Sequence, residues 1–255
     1  MEREYQAYIQ FEIEEYKNSI SRAALLRLAD EAARTLAAEQ QTAFTELLLG
    51  EEVDRLIAKR LKLPSLRLFR SRALKRAEAL RRPEHWGLAP DAPVVRALPT
   101  VEMATVANVL VAGGGERQHG PALFLAAQGF AVTTLDTDYD AVERVMHAAE
   151  AHGLDANVRG FVGLLEQWAP DVRFQAVVCA PDAVLGIDQD TERSRVLDAL
   201  QRATVDGGVH LFETDPGDSE ALTPDSLSAS YAGWSVALES RGTTRLLMAT
   251  KGVAA

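Results

Sequence analysis

Three glycines in a row, Gly113, Gly114 and Gly115, follow the apolar run Val109-Leu110-Val111-Ala112, and Asp136 stands 21 residues beyond the last of them. Without a Cβ, Gly113 and Gly115 let main chain approach a ligand where another residue would collide. A helix starting near Pro121 turns its amide-rich end to the same place. The spacing is close to the roughly 20 residues at which an acid takes a ribose hydroxyl pair. Together these residues point to a nucleoside-containing cofactor. The alternative is a tight turn with Asp136 capping the next helix, and the two functional readings stand or fall together. His119, in the same loop, is a type that can take a proton near neutral pH, or else an ordinary surface loop residue. Asp182 follows the apolar run 176–180, where open α/β sheets place ligands, and a turn or capping role is its equal alternative.

These residues need elements to position them. From residue 107 the pattern alternates apolar runs with amphipathic stretches, the mark of a doubly wound α/β sheet. Strands are expected at 108–112, 131–135, 158–162, 176–180 and 209–213, with helices at 121–128, 140–151 and 192–204. Two further runs, 234–239 and 244–250, are separated by Ser240-Arg241-Gly242-Thr243, which predicts an antiparallel hairpin. Residues 1–82 read as an all-helical domain. Its first helix carries a stripe including Tyr5, Tyr8 and Tyr16. Ser21 caps a second helix, a third starts near Thr42, Gly50 breaks it, and a fourth covers 51–61. Ser65 starts a basic helix that ends before Pro83. Residues 83–105, punctuated by four prolines, read as an ordered connector to a domain at 106–255, with Trp86, Val94, Val95 and Leu98 to bury.

Composition narrows the rest. At 255 residues and 47% hydrophobic, the chain can build a real core. Its apolar runs are too short to cross a bilayer, its amino terminus lacks an export core, and its single cysteine, Cys179, excludes internal disulfides. A cytoplasmic location is expected. Cys179 is expected to be buried and inert. His147, His152 and His210 lack metal-ligand spacing. The net charge is −10, yet residues 55–82 hold eleven Lys or Arg against one acid, Glu78. Such a patch can meet nucleic acid, but without a recognised nucleic-acid module, docking on acidic surface of the same chain or a second copy is favoured.

From residue 105 to 252 the chain resembles the class I S-adenosylmethionine-dependent methyltransferases. Val109-Leu110-Val111-Ala112-Gly113-Gly114-Gly115 resembles the first motif. Leu135-Asp136, followed by Asp138 and Ala141-Val142, resembles the ribose-binding acid and its helix. Phe174-Gln175-Ala176-Val177-Val178 resembles the fourth strand, and Val205-Asp206-Gly207-Gly208-Val209 the turn into the fifth. The Gly233-Trp234 strand and final hairpin are similar to the family's reversed last strand. The resemblance implies a mostly parallel seven-stranded sheet of Rossmann type and S-adenosylmethionine as cofactor. It implies cofactor contacts from Gly113, Gly114, Gly115, Asp136, Thr137, Gly163, Leu164 and Ala180. His119 and Asp182 become candidate catalytic groups acting on a small-molecule substrate. Tyr5, Tyr8 and Tyr16 become candidate substrate contacts, since extra amino-terminal helices often cover the site in this family; a core or homodimer seam is favoured for that stripe. The chain departs from the family at Arg117, where a further glycine is usual. Its loop at 116–121 is about two residues longer than is usual in the family. No Asp follows the third strand, where Glu166 is the nearest acid. Three functions stay open: methyl transfer to a small molecule, a methyltransferase-like sensing or interaction protein without chemistry, and modification of nucleic acid. A nicotinamide-dependent dehydrogenase ranks lower, because its third glycine would fall at Gln118.

Overall fold

The structure is a computed structural model that describes residues 1–38, 46–97, 107–180, 183–184, 187, 189–214, 224–241 and 244–252. It divides into two compact units, Met1–Arg76 and Ala77–Ala255.

Met1–Arg76 holds α1 (Glu2–Ser19), α2 (Arg22–Ala38), α3 (Glu46–Arg60) and most of α4 (Leu66–Leu80). Ile13, Leu28, Ala32, Val53 and Ile57 meet in its core. The Ser21 hydroxyl accepts from the Ala24 amide at 3.3 Å, as a cap should. Gly50 does not break a helix: α3 runs through it as one element. A mid-helix glycine costs only ~1 kcal/mol against alanine, and Leu49, Val53 and Ile57 bury one continuous apolar stripe across it. Thr42 lies outside the described residues. Within the basic stretch, Arg55 pairs with Glu52 at 2.6 Å and Arg60 with Glu31 at 2.7 Å, so part of that charge is met inside this unit.

Ala77–Ala255 is built on a seven-stranded sheet. Its strands are β1 (Asn108–Ala112), β2 (Ala131–Asp136), β3 (Val158–Val162), β4 (Phe174–Cys179), β5 (Thr204–Thr214), β6 (Trp234–Arg241) and β7 (Thr244–Lys251). Their order is β3-β2-β1-β4-β5-β7-β6. The first five are mutually parallel, while β7 runs antiparallel to both β5 and β6. The sheet is therefore mixed, as the hairpin signal requires. Along β1, Val109 and Val111 enter one apolar cluster, and Leu110 and Ala112 enter the other. Burial on both faces explains why this strand is apolar at successive positions rather than alternate ones.

Helices α6 (His119–Gln128), α7 (Tyr139–His152) and α8 (Asp190–Ala203) connect the parallel strands, with α5 (Pro93–Ala97) before them and the short α9 (Pro224–Ala229) before β6. Strand β5 starts at Thr204, five residues ahead of expectation. Asp206-Gly207-Gly208 is not a turn before the strand but an irregularity within it, matched by a register shift between Phe174 and Ala176, as a bulge produces. Of the expected connector, Trp86 and Val94 are buried in this unit's core, and the Trp86 indole donates to the Leu80 carbonyl at 2.6 Å. Leu98 lies outside the described residues.

Candidate functional site

Strand β1 ends at Ala112, and the Gly113 amide carries its ladder one step further, donating to the Leu135 carbonyl at 2.9 Å. Gly113, Gly114 and Gly115 then take φ of 70°, 95° and 52°, a left-handed run that side-chain-bearing residues rarely adopt. A Cβ on Gly114 would lie 3.0 Å from that of Ala180, so bare main chain is needed where the ends of β1 and β4 approach. A single 3-10 turn, Gly115–Gln118, absorbs the long loop and delivers the chain to α6.

Asp136 faces this turn from the tip of β2 and is only 7% exposed. Its Oδ2 accepts from the Gly115 amide at 2.9 Å and from the Gln118 side-chain amide at 2.8 Å. Its Oδ1 accepts from the Asp138 amide at 2.8 Å. The Thr134 hydroxyl, one step back on the same face of β2, donates to Gln118 Oε1 at 2.7 Å. Capping of α7 falls to Asp138, whose carboxylate accepts from the Asp140 amide. Asp136 is thereby left to the glycine turn.

Two hollows open beyond the carboxyl ends of the strands, and Ala112 and Gly113 line both. The first, about 460 Å³, is walled by Leu135, Asp136, Thr137, Gly163, Leu164 and Glu166. It gathers five of the eight cofactor contacts implied by the resemblance, and Glu166 stands where no Asp follows β3. The second, about 820 Å³, is mostly apolar: Leu88, Pro93 and Val94 form one side, Val111, Val178, Leu211 and Leu246 another. Gly114 and Ala180 border it, with Arg117, Gln118 and Glu213 as its polar members. Leu88, Pro93, Val94, Gln118, Glu213 and Leu246 are not site residues expected from the sequence. Glu213 had a usable signal, since it lies at the end of a parallel strand. The connector residues had none.

The remaining candidates fall elsewhere. His119 lines neither hollow. It begins α6, and its imidazole is held below its ordinary pKa by burial, then by the Arg144 charge and His152, both on α7. The 3-10 turn sends the Gln118 side chain towards Thr134 and Asp136 of β2. Asp182 lies outside the described residues. Tyr5 and Tyr8 pack their rings against Phe69, the Tyr5 hydroxyl donates to the Pro64 carbonyl at 3.1 Å, and Tyr16 packs against the helical core. All three tyrosines thus have packing roles inside Met1–Arg76. Cys179 is buried. Among the described residues no cluster of His, Cys, Asp and Glu could hold a metal ion, and no helix is long and apolar enough to cross a membrane.

No protein-family model matches the chain, and no curated protein does. Solved structures do. TehB from Haemophilus influenzae superposes with a TM-score of 0.55 at 16% identity, over 69% of this chain and 67% of that one. A TehB-like SAM-dependent methyltransferase from Corynebacterium glutamicum aligns at 0.49 and 18% identity, over 72% and 99% of the two chains. The glycopeptide N-methyltransferase MtfA in complex with S-adenosylhomocysteine aligns at 0.49 and 14% identity, over 65% and 91%. With its strand order, its reversed β7 and the glycine turn at the end of β1, the unit Ala77–Ala255 has the class I methyltransferase fold.

Proposed function

We propose that the chain binds S-adenosylmethionine and transfers its methyl group to a nucleophile on a small molecule. The observation that carries this reading is the pairing of three left-handed glycines with a buried carboxylate aimed at them. The residues fit the cofactor: a Cβ at Gly114 would fill the gap beside Ala180, and Asp136 lines the smaller hollow. In this reading Asp136 and Thr137 hold the ribose, Gly163, Leu164 and Glu166 border the base, and the main chain of Gly113–Gly115 and Ala180 supports the methionine end. When bound, the cofactor supplies a sulfonium methyl open to in-line displacement. The apolar walls contributed by Val94, Val178, Leu211 and Leu246 exclude water and hold an acceptor in line, and alignment of this kind supplies much of the gain in such reactions. No residue of the described site needs to act as a base if the nucleophile is acidic enough.

A second reading, a cofactor-sensing protein without chemistry, draws on His119, which lines neither hollow. Calorimetric titration with S-adenosylmethionine and S-adenosylhomocysteine tests the first part. Micromolar binding of both is expected, and no heat from either at millimolar concentration rejects it. Methyl transfer from labelled cofactor to a panel of small hydroxyl, thiol and amine acceptors then separates enzyme from sensor.

A further inference from the structure

The geometry points to the larger hollow as the site of a neutral, mainly apolar acceptor, with the segment 83–97 built as part of its wall. The inference rests on the reading of the chain as a methyltransferase and names the class of molecule that receives the methyl group. Ala112 and Gly113 line both hollows, so a molecule in the larger one adjoins the glycine turn. Leu88, Val94, Val178, Leu211 and Leu246 set its character, and Val94, Leu211 and Leu246 are no more than 6% exposed. Among the described residues that line it, Arg117 and Glu213 carry formal charges, and their signs cancel. Gln118 is engaged with Asp136 and Thr134. An ion entering such a place gives up hydration with no surplus of opposite charge to replace it, which is costly. An apolar body gains in proportion to the area it withdraws from water.

The wall is anchored at both ends. At its start, the Trp86 indole is tied to the Leu80 carbonyl, and a Cβ on Gly120 of α6 would lie 2.7 Å from the Trp86 carbonyl oxygen and 3.2 Å from Leu88 Cδ2. The segment therefore rests on bare helix backbone. At its far end, Arg96 of α5 grips Glu239 of β6 with both arms: Nη1 donates to Oε1 at 2.9 Å, and Nη2 stands 2.5 Å from Oε2. A two-armed pair of this kind fixes direction as well as distance. Leu88 and Val94, between these anchors, are placed surface rather than loose linker. A concave, mainly apolar wall with a few polar members, formed by held elements, is the usual make-up of a small-molecule site.

The test is calorimetric titration of the full chain, saturated with S-adenosylhomocysteine, with para-methyl, para-ethyl, para-propyl and para-butyl phenol and with two charged analogues, tyramine and para-hydroxybenzoate. Affinity is expected to rise about fourfold per methylene, and both ions to bind about tenfold or more weakly than para-ethyl phenol. Val94→Thr should weaken para-butyl phenol about threefold or more and leave S-adenosylhomocysteine unchanged. Leu238→Thr, at an exposed leucine outside the hollow, should change neither. Affinity independent of chain length, tighter binding of either ion, or equal losses in the two variants overturns the inference. If Val94→Thr does not fold, Leu88→Ala, at a half-buried position, takes its place with the same expectation. A silent S-adenosylhomocysteine titration defeats the methyl-transfer reading, and the acceptor with it; a flat phenol series beside a normal S-adenosylhomocysteine titration defeats the acceptor class alone.

Discussion

His210 and Asp136 are both buried side chains on parallel strands of one sheet, and both sit in small hydrogen-bonded clusters. Around His210 nothing is left over. The Thr204 hydroxyl donates its one hydrogen to the Leu200 carbonyl at 2.7 Å, so His210 Nε2, 2.7 Å away, must be the donor to that oxygen. Nδ1 is then the acceptor for the Tyr231 hydroxyl at 2.8 Å. Burial first, and then the Lys251 charge, push this imidazole down to about 3, and burial raises the Tyr231 hydroxyl well above its ordinary range. The cluster is closed, neutral and enclosed by Trp234 and Phe212. Around Asp136 the same kind of bonding holds a carboxylate whose residue also lines a hollow. Closed polarity specifies a core; polarity at the wall of a hollow is placed to meet a ligand.

That contrast can be broken from either side. The largest effect is expected from His210→Phe, which leaves the Tyr231 hydroxyl without its acceptor and should cost about 3 kcal/mol in chemical denaturation, with cofactor affinity unchanged. A parallel loss of affinity would mean the two clusters are coupled. Asp136→Ala should remove about 2 kcal/mol of cofactor binding, near thirtyfold by calorimetry. If it lowers the melting temperature while leaving affinity intact, the Asp136 cluster is only structural.

The pH dependence sharpens the comparison. In the unfolded chain His210 protonates near 6.5, and in the folded protein only near 3. Its contribution is fully present above pH 6.5 and is lost as pH falls towards 3, at up to about 1.4 kcal/mol per unit. Denaturation midpoints between pH 7 and 5 should show this slope in the wild type and a flatter one in His210→Phe. The smallest effect belongs to Gly115→Ala. A Cβ there has open space, but φ is 52°, so the cost should be about 1 kcal/mol of stability. The amide stays on Asp136, and affinity should hold within about threefold.

The sheet was largely legible because its physics is local. Strands buried on both faces must be apolar throughout, the reversed pair is separated in sequence by a short polar segment, and three successive glycines have few uses other than a left-handed turn. Asp136 followed from its spacing to that turn. What the sequence hid depends on distant packing. Gly50 looks like a breaker until Val53 and Ile57 bury a stripe that spans it. Gln118 looks like loop polarity until Thr134, sixteen residues on, fixes its carbonyl. His119 sits beside the glycine turn in sequence, yet it lines neither hollow. Leu88, Pro93 and Val94 read as linker because a proline-rich stretch carries no periodicity, whatever surface it covers.

The order β5-β7-β6 sets a timing rule for biogenesis. The strand synthesised last of the seven occupies an inner position, so β6 has nothing to join until β7 has left the ribosome. Until then β5 presents an open apolar margin bearing Val209, Leu211 and Phe212. Vectorial folding of this unit can therefore reach β5 and must wait there. A stalled or prematurely ended chain at that stage exposes an adhesive edge, and is the species on which chaperones would act.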